Sequence, residues 1–173
     1  MTEYEFTLKF AIPDDLAADE LEASLFEHGC NDALIGIGQK GRLALSVTRH
    51  AATAHKAVSS AINNVQQAIP EARLIEVSPD LVGISDIAEQ LDFSRQNMRK
   101  LWQTHINTFP LPVHEGHSAL WHLAEVLEWF SQHQHKAIDE AVRDLASVSM
   151  QINIGREAKR LEAHRHPTRQ RTA

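Results

Sequence analysis

Residues 82–102 read VGISDIAEQLDFSRQNMRKLW, and this stretch predicts two short helices joined by a tight turn. Ser85 and Ser94 are placed to cap the two helices, since a serine hydroxyl can accept a bond from an unpaired amide of the first turn. Apolar residues then recur at helical spacing on one face of each helix. They are Ile87, Ala88 and Leu91 in the first helix, and Met98, Leu101 and Trp102 in the second. The pattern is typical of a helix-turn-helix.

The second helix has a polar face opposite Met98. At roughly 100° per residue, six polar side chains point away from Met98 or flank that direction. Side chains of these types hydrogen-bond base edges or phosphates in the major groove of DNA. The six candidate DNA-binding residues are Arg95, Gln96, Asn97, Arg99, Lys100 and Gln103.

Residues 109–130, FPLPVHEGHSALWHLAEVLEWF, add a proline-containing segment, a glycine turn and a tryptophan-rich helix. With the helix pair, they resemble the winged helix-turn-helix domains of excisionase, AlpA-like and MerR-like proteins over residues 81–130. The resemblance implies a bacterial or phage-type DNA-binding protein. The residues that carry it are Phe109, Pro110 and Pro112 before the wing, Gly116 in its turn, and Trp121, Glu125, Val126 and Trp129 in the helix. The wing has His114, Glu115 and His117 but no Lys or Arg, unlike the more basic wings of those families.

The first 78 residues alternate between strand and helix patterns. The order β-α-β-β-α-β predicts a ferredoxin-like α+β domain over residues 1–78, with Ser78-Pro79-Asp80 as the linker. Leu16, Leu21, Leu25 and Phe26 are predicted to face inward from the first helix. The predicted elements are a strand over 3–11, a helix over 14–28, strands over 33–37 and 43–48, a helix over 53–68 and a strand over 73–77.

A long helix is predicted over residues 132–163, because the segment has no proline and is rich in helix-forming residues. Ile138, Leu145 and Ile152 recur every seven residues, with Ala141 and Val148 between them. This apolar stripe either forms a dimer or packs on its own chain. A dimer is preferred, because helix-turn-helix proteins usually bind two symmetry-related half-sites. Residues 164–173 are predicted to be a basic, disordered tail that either contacts DNA or is simply solvated.

The net charge of −6 is unevenly distributed. Residues 1–80 carry −6, residues 81–135 carry −3 and residues 136–173 carry +3. An acidic DNA-binding domain is unusual, because neutralised phosphates supply most non-specific affinity. All three basic residues of the middle segment nevertheless fall on the predicted recognition helix: Arg95, Arg99 and Lys100.

Several other patterns are interpreted as structural. Residues 36–41 match G-x-G-x-x-G, but an apolar strand follows them instead of a helix, so a hairpin turn is predicted and not a nucleotide site. The single Cys30 is predicted to be a buried apolar residue. The His114/His117 and His133/His135 pairs lack further ligands nearby, and no nucleophile has a clear base. We therefore predict no enzyme activity, no catalytic residues, no metal site and no cofactor.

The sequence thus predicts a cytoplasmic protein, without a signal peptide or a membrane partner, that binds double-stranded DNA as a homodimer. Transcriptional regulation is the expected role. Arg99 and Gln96 would read bases, Arg95 and Lys100 would hold phosphates, and the wing over 113–119 would touch the flanking backbone. The alternative is an antitoxin or adaptor that acts through protein–protein contacts, which the acidic balance and the non-basic wing favour. A third possibility is a small-molecule sensor in the N-terminal domain.

Overall fold

A computed structural model describes residues 1–166 and has an α+β fold. Over that range it comprises a four-stranded antiparallel sheet, a two-stranded sheet and six helices, of which the last is long. In chain order the elements are β1 (Thr2–Ala11), α1 (Ala18–Glu27), β2 (Ala33–Gly36), β3 (Arg42–Ala51), α2 (Ala54–Ala68), β4 (Arg73–Ser78), β5 (Leu81–Val82), α3 (Ile84–Gln90), α4 (Arg95–Thr104), β6 (Trp121–His122), α5 (Leu123–His133) and α6 (Glu140–Arg165).

The larger sheet has the strand order β2-β3-β1-β4, with every neighbouring pair antiparallel. Its strands alternate buried and exposed residues, as the period of two requires. Tyr4, Phe6, Leu8 and Phe10 of β1 all point into one core, which α2 covers. The predicted order of the first six elements is confirmed.

The prediction for α1 was partly wrong. The helix begins at Ala18 instead of residue 14, and only Leu21 and Leu25 are buried along it. Phe26 is 67% exposed and Leu16 is 42% exposed. Phe26 follows Leu25 and so lies about 100° further round the helix, which turns it away from the sheet.

The glycine-rich segment 36–41 is the loop of a hairpin, as predicted. β2 and β3 pair antiparallel on either side of it, with Ala33 opposite Val47 and Gly36 opposite Ala44. Gly41 adopts a φ of 74°, a left-handed conformation that glycine reaches without steric cost.

The two helices predicted from residues 82–102 are present as α3 and α4. Ser94 caps α4 as predicted, because its hydroxyl accepts a bond from the Asn97 amide at 3.1 Å. The cap predicted at Ser85 was wrong. The cap is Gly83, two residues earlier, so α3 begins at Ile84, and the Asp86 carboxylate accepts a bond from the Gly83 amide at 2.9 Å.

A second hydrophobic core lies beneath α3, α4 and α5. Its largest fully buried side chains are Ile87, Met98, Trp121, Leu123, Leu127 and Phe130. Trp129 is 4% exposed, so both Trp121 and Trp129 lie in this core. The indole N–H of Trp121 donates to the Pro110 carbonyl at 2.9 Å, and that of Trp129 donates to the Thr108 hydroxyl at 3.2 Å. These bonds attach the segment after α4 to the core.

The C-terminal helix differs from its predicted bounds of 132–163. α5 continues to His133, residues 134–139 form a connection, and α6 begins at Glu140 with Asp139 as its cap. α6 ends at Arg165, beyond the predicted limit. The rest of the predicted basic tail, residues 167–173, lies outside the described residues.

The apolar stripe of α6 packs on its own chain. Leu145 is buried in the core of the four-stranded sheet, and the adjacent Ala146 is buried in the second core. Ala141, Val148 and Ile152 also pack against the first core. The stripe therefore makes intrachain contacts, which is the second of the two predicted alternatives.

A buried carboxylate joins the two cores. Asp80, in the linker after β4, is 3% exposed. The side-chain amide of Asn153 on α6 donates to its Oδ2 at 2.8 Å, and Nδ1 of His122 lies 2.6 Å from its Oδ1. Asn153 also bonds both the N–H and the C=O of Val77 in β4. One cluster thus ties the sheet, α6 and the start of α5 together.

Candidate nucleic-acid interface

The six polar residues singled out from the sequence all lie on exposed positions of α4. The only fully buried residue of this helix is Met98, which enters the second core, while Leu101 and Trp102 are half-buried. The Trp102 ring packs edge-on against Trp121 with ring centroids 5.2 Å apart. α4 is therefore held on one face and free on the other. The exposed residues are Arg95, Gln96, Asn97, Arg99, Lys100 and Gln103.

The turn before α4 sets the direction of this free face. Asp92 has a φ of 58°, and the Phe93 amide donates to the Ala88 carbonyl at 2.8 Å, which reverses the chain directly after α3. Aspartate tolerates this left-handed conformation better than most residues. Ser94 then caps α4, so its first turn is well formed where Arg95 and Gln96 project.

A hairpin lies beside α4. Its two sides meet where the Val113 amide donates to the Leu120 carbonyl at 2.7 Å and the Leu120 amide donates to the His114 carbonyl at 3.0 Å. The chain continues directly into β6, which pairs with β5 before α3. We call residues 113–120 the hairpin. It is therefore anchored at its base to the same small sheet from which the helix pair begins.

A groove of about 500 Å³ separates α4 from the hairpin. α4 contributes Arg95, Arg99 and Trp102 to its wall. The start of α3 contributes residues 83–86, and the hairpin contributes residues 115–120. The sequence pattern does not reveal that Arg95 and Arg99 face a cleft, because this depends on where the hairpin lies.

The charges around this groove are mixed. No hydrogen bond or ion pair within residues 1–166 engages the side chains of Arg95, Arg99 or Lys100. Two carboxylates, Asp86 and Glu115, line the same groove. The Asp86 carboxylate accepts a bond from the Gly83 amide, but a neutral donor does not cancel a carboxylate's charge, so both acidic side chains oppose an anion in the groove.

Three apolar side chains are exposed between the end of α4 and the start of the hairpin, and sequence reasoning missed them. Ile106 is 58% exposed, Leu111 is 84% exposed and Val113 is 54% exposed. Apolar periodicity could not reveal them, since they lie in an irregular segment with prolines at 110 and 112. Leu111 between two prolines is the one local signal, because neither neighbour allows a regular helix.

In the described part of the chain, the other candidate sites lack the geometry of a reactive or metal-binding centre. Cys30 is buried, and burial raises the pKa of its thiol, which disfavours the reactive thiolate. Among residues 1–166, no three or more His, Cys, Asp or Glu side chains are grouped so as to hold a metal ion. None of the helices in that range combines the length and apolar character needed to cross a lipid bilayer.

Comparison with known proteins returned no match: no protein-family model, no curated protein and no solved structure matches this chain.

Proposed function

We propose that the protein binds double-stranded DNA in a sequence-specific manner and acts as a transcriptional regulator. The observation that carries the proposal is the free face of α4. Six polar residues of this helix are exposed, while Met98 anchors the helix to the core. An α-helix fits the major groove of B-DNA, where amide and guanidinium groups distinguish base pairs. The three cations of residues 81–135 all lie on this face, where phosphate contact would use them.

We further propose the domain types that the sequence suggested. The strand order β2-β3-β1-β4 supports a ferredoxin-like N-terminal domain, since a split βαβ arrangement requires the first and third strands to be central. The helix pair, the hairpin and the two-stranded β5-β6 sheet support a winged helix-turn-helix. In that arrangement the hairpin is the wing.

Within this proposal the exposed residues have distinct roles. Gln96 and Arg99 read base edges, and Arg95 and Lys100 contact phosphates. Asn97 and Gln103 complete the polar face. The backbone of the hairpin approaches the flanking phosphates, since its side chains include no Lys or Arg.

The test is to select a DNA site with the purified protein and to measure affinity for it at several salt concentrations. Arg99→Ala should weaken specific binding by about 1–3 kcal/mol if Arg99 makes a bidentate contact with guanine. Lys100→Ala should weaken binding to all DNA sequences alike. It should also reduce the slope of the logarithm of affinity against the logarithm of salt concentration by about 1. The matched control is Arg143→Ala, which removes an exposed arginine from α6 and should leave affinity unchanged.

Two results would contradict the proposal. One is a failure to enrich any DNA sequence. The other is unchanged affinity for the selected site after Gln96→Ala and Arg99→Ala are combined, which would remove α4 from the interface.

A second candidate function is that of an antitoxin or adaptor that binds another protein. The exposed apolar side chains of Ile106, Leu111 and Val113 favour it, because they lie within one short segment and exposed apolar surface is common in protein interfaces. Glu115 in the groove also disfavours the binding of a polyanion such as DNA. If this function is correct, Leu111→Ser would abolish capture of the partner protein, whereas Arg99→Ala would leave that capture intact.

A further inference from the structure

The two edges of the four-stranded sheet differ. At the β4 edge, the side chain of Asn153 bonds both the N–H and the C=O of Val77, at 2.9 and 2.8 Å. This side chain takes the place of a neighbouring strand, and α6 covers that edge. At the opposite edge, β2 pairs only with β3. Within the described residues, one edge is closed and the other is open.

The register shows which backbone groups of β2 face outward. The Thr48 amide donates to the Asp32 carbonyl at 3.1 Å, and these two residues continue the β2–β3 register. Hydrogen-bonded pairs alternate along an antiparallel ladder, so Leu34 and Gly36 also direct their backbone groups toward β3. Ala33 and Ile35 therefore direct their N–H and C=O groups away from the sheet.

This open edge is short, but it has no charged residue or proline that would block strand pairing. Residues 33–39, ALIGIGQ, contain no charged side chain and no proline, which are the common means of blocking an edge. The nearest carboxylate, Asp32, is neutralised by Arg49, whose Nε and Nη2 donate to it at 2.6 and 2.9 Å. Hydrogen bonding to Asp32 raises the pKa of Arg49.

Large apolar side chains flank the edge on both faces. Leu34 lies on the open face of the sheet and is 78% exposed. Phe26 of α1 is 67% exposed on the helical face. Ser24 of α1 donates to Ala68 of α2, and Phe26 lies roughly 200° further round the helix, on the side away from α2. That side is nearer β2, because α1 leads into β2 while α2 leads to the other edge.

We propose that the β2 edge pairs antiparallel with β2 of a second copy of this chain, and that two sheets join into one of eight strands. Pairing centred on Leu34 places Ala33 of each copy opposite Ile35 of the other copy. About four backbone hydrogen bonds then form. The two Leu34 side chains then meet across the two-fold axis in a non-hydrogen-bonded pair, where side chains are closest. Exposed Leu34 becomes buried, and Phe26 flanks the contact on the other face.

A second copy fits this edge better than an unrelated strand. The same residues supply the outward donors and acceptors on both sides of the axis, so the contact is self-complementary and closes after two copies. Two chains of net charge −6 repel each other over most of their surfaces. An uncharged edge is where that repulsion is weakest. The inference does not depend on DNA binding, although a two-fold dimer would present two α4 helices.

The test uses the full chain without DNA and measures its mass by light scattering and sedimentation equilibrium. Leu34→Lys and Leu34→Glu each place like charges together at the axis, which costs several kcal/mol. Each variant should raise the dimer dissociation constant at least about 100-fold. An equimolar mixture of the two should recover a heterodimer, since opposite charges then meet. The control is Leu161→Lys, which changes an exposed leucine of α6 and should leave the dimer unchanged.

A backbone variant separates the edge from its side chains. Ala33→Pro removes an N–H that faces outward, so the β2–β3 ladder remains while pairing with the partner is weakened. Circular dichroism checks that the variants are folded. The proposal is overturned if the native chain is monomeric at every concentration that solubility allows. It is equally overturned if folded Leu34→Lys and Leu34→Glu both remain dimeric, since the interface must then lie elsewhere.

Discussion

At the scale of single residues, position in the fold decides what a side chain does more than its type does. Phe26 and Phe130 are both helical phenylalanines, yet the first is 67% exposed and the second is fully buried. Asp86 and Asp80 are both acidic and lie within one short segment. The first bonds a backbone amide near the protein surface, whereas the second is buried and joins α6 to His122. None of these differences is visible in residue type alone.

Trp129 provides a test at this scale. Its ring packs against Phe109 and Phe130, with centroids 5.0 and 5.1 Å away, and its indole N–H is bonded to Thr108. Trp129→Ala should lower the free energy of unfolding by about 3–5 kcal/mol, because the surrounding rings cannot fill the cavity. Urea denaturation measures the change. A variant that unfolds at the same urea concentration as the native protein would show that Trp129 is not a core residue.

At the scale of elements, local sequence signals predicted some features of the helices and strands, while long-range contacts decided others. The hairpin between β2 and β3 and the cap of α4 follow from glycine and serine at defined positions, and both were predicted. The partner of α6 was not predicted, because an apolar stripe is equally compatible with a second copy and with the chain's own core. The start of α6 at Glu140 also depends on α5, which continues to His133 and leaves residues 134–139 as a connection.

Removal of α6 tests its structural role. Truncation after Ser131 would take Leu145 from the first core and Ala146 from the second. We expect the truncated chain to lose cooperative unfolding in both halves, because burial of apolar surface is the main stabilising contribution. Thermal unfolding is followed by tryptophan fluorescence, which reports on the second half because it holds all three tryptophans, and by circular dichroism, which reports on the whole chain. A truncated protein with native-like transitions in both signals would show instead that α6 is peripheral.

At the scale of the whole molecule, the Asp80 cluster determines how the two halves are joined. Asn153 makes three hydrogen bonds, to the N–H and C=O of Val77 and to the Asp80 carboxylate. Because Asp80 is buried, loss of this donor leaves a charged group with fewer partners. The Asp80 cluster therefore joins the two halves together with α6, and its residues lie outside the candidate interface and the β2 edge.

Asn153→Ala tests this junction. We expect a loss of about 1–3 kcal/mol in the free energy of unfolding, since a buried group loses its partner. The control is Gln151→Ala, which removes an exposed amide from the same helix and should have little effect. Equal stability of the two variants in urea denaturation would show that the buried cluster contributes nothing.

The sequence by itself determined the features that depend on neighbours along the chain. The order of strands and helices, the α3–α4 pair with its cap at Ser94, and the exposed polar face of α4 all follow from periodicity and capping over a few residues. Only the tertiary structure decided the burial of Asp80, the exposure of Phe26, the open edge of β2 and the intrachain packing of α6. Each of these depends on segments far apart in sequence, and local patterns carry no information about which distant surfaces meet.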